Sequence, residues 1–352
     1  MKVYIEIDGS AGEGGGQILR TSLTISSLLG KPVKIINIRA KRRQPGLQAQ
    51  HLTCVHALAK ITNAEVTGAS IGSRVLTFNP KSLNAGNYIF DVSEVKSSAG
   101  SVSLIFQSIL LPLAFADGKS NVTIFGGTHV AWSPPVQYLQ MVYLPIAERM
   151  GIKANIYLNK WGWYPRGKGE IIADIQQSKL NGINLLEKGI SKEIRVISAS
   201  SNLPMSIAQR QQNHALEILK SYGIEAKTEL VDASSIGQGT IVFILAEFEN
   251  SYAGFSALGE KGKKAEQVAY EASEDLLEFM KANMCIESYL ADQLIPLMAL
   301  ADGNSCFTTS RITLHLLTNI QVVERFLPLK FQVFGEENQP GKVFVNGIGF
   351  NR

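Results

Sequence analysis

Two stretches near the start of the chain combine residue types that bind phosphate. Residues 7–20 read IDGSAGEGGGQILR, a strand pattern running into four glycines around Glu13 and then into a helix pattern that begins near Gln17. Glycines at such a junction let backbone N–H groups approach an anion, and a helix N-terminus adds a favourable dipole. The Lys-Ser/Thr pair of a P-loop is missing and the spacing fits GxGxxG badly, so a phosphate cradle and a plain tight turn both remain open. Residues 38–51 read IRAKRRQPGLQAQH, placing Arg39, Lys41, Arg42 and Arg43 before a Pro-Gly turn and a helix with Gln48 and Gln50. Guanidinium forks match phosphate oxygens geometrically; a solubilising loop is the alternative.

The five histidines are His51, His56, His129, His214 and His315. His51 and His56 share one helical stretch at i and i+5, which is not a metal-ligand spacing. His214 lies on an amphipathic helix and reads as a surface residue. His129 sits in the loop GGTHVAWSPP, from which no role can be read. His315 stands near a strand-to-helix boundary in SRITLHLLTNIQVVERFLP. An isolated histidine there is more often structural than catalytic, so composition alone assigns it nothing.

These residues must be held by repeated elements. Residues 17–38, 104–127 and 290–309 each read as a helix, a Gly-containing turn and a strand, and a weaker copy starts at Tyr143. Such copies predict an α/β chain of α+β type, with a large domain of repeated units whose helices pack on sheets. Residues 187–280 break the pattern with strand (194–199), helix (205–222), strand (224–231), strand (240–248) and a charged helix (261–280). The repeat resumes at Tyr289, so the expected organisation is a large domain of 1–186 and 281–352 with a small α/β domain inserted at 187–280.

The bulk properties limit the function classes. The chain has 352 residues, 45% hydrophobic and 18% charged, which suits a globular protein rather than a disordered one. Its longest apolar stretch, 101–116, is interrupted by Gln107 and Pro112 and is too short to span a bilayer. The opening MKVYIEIDG reads as a strand, not a signal peptide. Cys54, Cys285 and Cys306 show no ligand spacing, so a reducing cytoplasm without structural zinc is expected. Net charge is +4, yet residues 1–50 carry eight basic and three acidic side chains. That local excess favours a polyanion, against the blander reading of a solvated face.

Six stretches in order resemble the RNA 3′-terminal phosphate cyclase family: DGSAGEGGGQILRTSL (8–23), IRAKRRQPGLQAQHLT (38–53), SAGSVSLIFQSILLPLAFADG (98–118), GWYPRGKGE (162–170), YLADQLIPLMAL (289–300) and HLLTNIQVVERFLP (315–328). The resemblance implies that His315 attacks the α-phosphorus of ATP to give a histidine–AMP phosphoramidate and pyrophosphate. AMP then passes to an RNA 3′-phosphate, giving an RNA-3′pp5′A intermediate. The neighbouring 2′-OH displaces AMP and closes a 2′,3′-cyclic phosphate. It further implies that Glu13 helps hold a divalent metal (magnesium or manganese), and that Gln107, Pro134, Tyr289, Leu290, Ala291, Asp292 and Gln293 form the nucleotide pocket. In that pocket adenine lies between Pro134 and Tyr289. Arg20, Arg39, Arg42 and Gln50 would face RNA phosphates. Lys168 departs from the pattern, standing where glycine is common, and His129 and Trp132 inherit no role. The implied partner is RNA with a 3′-terminal phosphate, without a membrane; a homodimer is compatible with the sequence.

Two other readings compete. Non-catalytic relatives that act in ribosome assembly or RNA binding lack the nucleophilic histidine, whereas His315 is present beside Thr318 and Asn319. Carboxyvinyl transferases use related α/β repeats but need two similar halves and a different basic site.

Overall fold

The structure, a computed structural model, describes residues 3–94 and 99–351. Met1 and Lys2 of the opening strand pattern and Ser98 of the 98–118 motif lie outside the described residues. The first unit runs β1 (Ile5–Asp8), α1 (Gly16–Leu29), β2 (Val33–Ile36), α2 (Ala49–Thr62), β3 (Glu65–Thr67) and β4 (Leu76–Asn79). The second runs β5 (Asn87–Asp91), α3 (Val102–Ala114), β6 (Lys119–Gly126), α4 (Val136–Tyr138), a π-helical turn (Leu139–Tyr143), α5 (Leu144–Arg149), β7 (Lys153–Lys160) and β8 (Gly169–Gln176). A third begins with β9 (Asn184–Leu185) and is interrupted by β10 (Ser191–Ser201), α6 (Met205–Ser221), β11 (Lys227–Asp232), β12 (Gly239–Phe248), β13 (Tyr252–Leu258) and α7 (Ala265–Ala282). It then resumes with α8 (Ser288–Leu300), β14 (Asn304–Thr309), α9 (Leu314–Phe326), β15 (Gln332–Phe334) and β16 (Gly341–Asn346).

Three sheets share one topology, β1-β2-β4-β3, β5-β6-β8-β7 and β9-β14-β16-β15. In each, the first two strands are parallel and the rest antiparallel. A parallel pair needs a crossover, and the helix of each sequence repeat supplies it. The fold is therefore the expected α/β class. The fourth sheet, β11-β10-β12-β13, belongs to the interrupting segment, which has an apolar cluster of its own around Val196, Ile244, Val268 and Leu276. Strand β13 has no counterpart in the sequence reading, because 252–258 (YAGFSAL) is short and rich in small residues that carry little strand signal.

Helices α1, α2, α3, α8 and α9 pack together between the sheets. Their inner faces bury Leu19, Leu23, Val55, Ile109, Leu294 and Val323. This shared core brings the N-terminal turns of α1 and α9 and the first turns of α8 close to one another.

Candidate active site

Thr313 caps α9, its hydroxyl accepting from the Leu316 N–H at 3.1 Å, and so fixes His315 in the first turn. His315 exposes 54% of its side chain. Its Nδ1 lies 3.2 Å from Oε1 of Gln17, in the first turn of α1. The Gln17 amide is oriented by its other end, where Nε2 donates to Asp292 Oδ2 at 2.7 Å. With the amide oxygen facing the ring, this network assigns the imidazole proton to Nδ1 and leaves the Nε2 lone pair free. Nε2 lies 3.7 Å from Glu13 Oε1, and Glu13 forms an ion pair with Arg42.

Glycine makes this approach of α1 to α9 feasible. Gly12 has φ +50, and a β-carbon there would stand 2.2 Å from Thr318 Oγ1. The same hydroxyl accepts from the Glu13 N–H at 3.0 Å, which docks the loop on α9. The N-terminus of α1 is capped by Gly15 with no side-chain acceptor, consistent with a phosphate cradle.

A cavity of about 460 Å³ opens beside His315 and falls within the range of small-molecule sites. It is lined by Arg20, Gln107, Pro134, Tyr289, Asp292 and Gln293 among the expected residues. Gln107 Nε2 donates to Gln293 Oε1 at 2.6 Å, and Gln293 Nε2 donates to the Tyr289 carbonyl at 2.8 Å. Tyr289 leaves 62% of its surface exposed. Leu290 and Ala291 are fully buried in the core, on the face of α8 turned from the cavity. Arg39 donates Nη1 to the carbonyls of Gln44 and Gly46 at 2.7 and 2.8 Å, bracing its own loop. Gln50 accepts from the Ser101 N–H at 3.3 Å. Neither Arg39 nor Gln50 lines the cavity.

The electrostatics favour a neutral imidazole. Burial and the cationic Arg20 and Arg42 push His315 below the usual histidine value. Glu13, whose Oε1 lies 3.7 Å from Nε2, is itself paired with Arg42. Burial raises Asp292 to about 7, opposed by the Gln17 amide and by Arg20. Glu287, the N-cap of α8, is raised to about 8 by burial, although Tyr138 and two backbone N–H groups donate to it. His129 and His51 are different: both are buried and pushed down to about 3 by desolvation. His129 is held between Thr128 and Gln137 and stacks on Trp161, and His51 accepts from the Gln48 N–H.

Among the described residues no three His, Cys, Asp or Glu side chains converge to hold a metal ion. Glu13 offers one hard carboxylate, which suits a magnesium-like cation coordinated mainly by phosphate oxygens and water.

The sequence reading missed Gln17, Thr21, Asn319, Tyr138 and Glu287. Thr21 donates to Asn319 Oδ1 at 2.7 Å, and Asn319 Nδ2 donates to the Asp292 carbonyl at 2.6 Å. Asn319 lies four residues after His315, so helix periodicity alone puts both on one face. Gln17 stands four residues after Glu13 at the expected helix start. Tyr138 and Glu287 meet across 149 positions and carry no local signal. The interrupting segment also reaches the cavity, through Gly254, Ser256 and Asp275.

A family model described as RNA 3′-terminal phosphate cyclase matches residues 11–333. Curated proteins of that name are similar along most of their length. One from Trichormus variabilis is 45% identical over 92% of this chain and 94% of its own. One from Pyrobaculum aerophilum is 42% identical over 99% of each, and one from Methylococcus capsulatus is 42% identical over 97% of this chain and 96% of its own.

Proposed function

Because the chain belongs to the RNA 3′-terminal phosphate cyclase family, we propose that it converts an RNA 3′-terminal phosphate to a 2′,3′-cyclic phosphodiester at the expense of ATP. It is an enzyme of the ligase type. The carrying observation is His315: a cavity-facing imidazole whose Nδ1 is tied through Gln17 to Asp292 while Nε2 stays open.

His315 Nε2 attacks the α-phosphorus of ATP and pyrophosphate leaves, giving enzyme–AMP. As the N–P bond forms the ring gains positive charge, and Gln17 Oε1 stabilises the Nδ1–H that carries it. Tyr289 and Pro134 sandwich the adenine, and Asp292, Gln293 and Gln107 bond the nucleotide's polar groups. Arg20 and Arg42, with Arg39 and Gln50 further out, take the RNA phosphates. A 3′-phosphate oxygen then displaces His315 from AMP to give RNA-3′pp5′A. The vicinal 2′-OH attacks the 3′-phosphorus and AMP leaves, a step favoured by proximity. Glu13 would help hold a divalent cation, which would supply charge neutralisation to the phosphates.

We assign residues 187–280 as an inserted domain within the large catalytic domain, and the protein to a reducing, cytoplasmic setting. Three free cysteines support that setting, and among the described residues no helix is long and apolar enough to cross a membrane. The functional test is incubation with 3′-phosphorylated RNA and ATP. Phosphatase resistance of the RNA end is expected, and none is expected to develop without ATP. An end that stays phosphatase-sensitive with ATP present would refute the reading.

A further inference from the structure

The stretch 162–170 contributes nothing to the cavity or to the His315 network, yet it is built as a rigid platform. Trp163 is buried, donates Nε1 to Ser201 Oγ at 2.8 Å and stacks on Trp161. The Gly162 N–H donates to Thr128 Oγ1 at 2.8 Å. From these anchors the chain turns outward and presents Tyr164, Arg166 and Lys168 to solvent. Tyr164 leaves 77% of its surface exposed. Arg166 Nη1 donates to the Ile236 carbonyl at 3.2 Å, leaning the loop on the interrupting segment. Lys168 occupies the left-handed region at φ +57, which an unbranched cationic side chain rarely adopts. Its Nζ donates to Ser93 Oγ at 3.1 Å, and that hydroxyl donates to Asp91 Oδ1 at 2.6 Å. The serine thus stands between the ammonium and the carboxylate. One of three ammonium donors is used, and the others find no partner among the described residues.

The platform adjoins the active site through close backbone contacts. A β-carbon on Gly167 would lie 3.1 Å from Ala99 Cα, and one on Gly100 would lie 2.8 Å from Gln50 Cβ. Gln50 is in the first turn of α2, and its neighbour His51 meets Gly16 at the start of α1. An exposed aromatic alternating with two cations suits single-stranded nucleic acid, whose bases stack and whose phosphates need positive charge.

Resting on the cyclase reading, we propose that residues 164–168 form a second RNA subsite for the single-stranded segment upstream of the 3′-phosphate. Tyr164 stacks on a base there, and Lys168 and Arg166 contact backbone phosphates.

The test compares two 3′-phosphorylated substrates, a dinucleotide and an oligoadenylate of about ten nucleotides, in a range that single-strand grooves cover. Tyr164→Ala and Lys168→Ala should each raise KM for the longer RNA at least about fivefold. They should leave self-adenylation and the dinucleotide kinetics at wild-type values. Lys168→Ala should also reduce the salt dependence of long-RNA binding by about one unit of log–log slope, and Lys168→Arg should restore it. Unchanged KM for the longer RNA, or equal losses on both substrates, would overturn the proposal. A wild-type enzyme that cyclises neither RNA would instead overturn the functional reading, and this subsite with it.

Discussion

Replacing Gln17 by Ala tests the imidazole arrangement without touching the nucleophile. Gln17 makes two bonds that matter: its oxygen lies 3.2 Å from His315 Nδ1, and its amide nitrogen donates to Asp292 at 2.7 Å. In the resting enzyme the first is a neutral hydrogen bond worth roughly 1 kcal/mol. When Nε2 bonds to phosphorus the ring becomes cationic, and a bond to a charged donor is worth about 1.5–3 kcal/mol. The part that grows in the transition state, about 0.5–2 kcal/mol, lowers the barrier, so Gln17→Ala should slow self-adenylation by roughly 2–30-fold. Single-turnover formation of labelled enzyme–AMP measures this, with the ATP dependence of the rate separating binding from chemistry. Gln17→Glu keeps an acceptor toward Nδ1, and Asp292, already raised to about 7, can take a proton and become the donor. That variant should therefore outperform the alanine. Adenylation by Gln17→Ala within twofold of wild type would show that the tautomer is not set by Gln17, and the proposed path would fall.

Three further outcomes follow from the same geometry. His315→Asn should fold normally and form no covalent AMP, since an amide nitrogen has no lone pair for phosphorus; the wild-type adduct should be acid-labile and alkali-stable, and an adduct on lysine would contradict this. Arg42 depresses His315, so in Arg42→Ala the acid limb of the adenylation pH profile should move to higher pH; a limb that stays put would remove Arg42 from the imidazole's surroundings. Glu287 is raised from 4.5 to about 8, so its contribution to stability is fully present below about 4.5 and declines as pH rises toward 8. Glu287→Gln should flatten that decline, on the order of a few kcal/mol, in urea midpoints measured across the window.

Local periodicity revealed much of the fold, because helix, glycine turn and strand are each written in adjacent residues. Gly30 ends α1 in the left-handed conformation its position suggested. Strand β13 escaped because Ala253, Gly254 and Ala257 carry no alternation that marks a face. Much of the candidate site lay in motifs: His315, Asp292, Tyr289 and Gln107 all line one cavity. Its supporting bonds did not, because they join distant turns. The Gln17–His315 contact spans 298 positions and Tyr138–Glu287 spans 149, and no window of sequence contains both partners.

The same distances explain why a pseudo-symmetric fold holds an asymmetric site. Three units share a topology, but each gives the cavity a different chemistry. The first supplies Gln17 and Arg20. The second supplies Gln107 and the proline pair, and the third supplies Asp292, Tyr289 and His315. The N-termini of α1, α8 and α9 converge because these helices pack on one another around one core, so positive helix-dipole ends gather there. What distinguishes the positions is the side chain each first turn carries: an unfilled glycine cap on α1, a buried glutamate on α8, a threonine cap beside histidine on α9. Of these three turns, the one without a side-chain acceptor is left free to bind an anion, and its Gln17 faces His315, whose Nε2 is open. The repeated topology thus supplies the frame, and the side chains that different units place on it give the site its anion-facing, nucleotide-facing and nucleophilic parts.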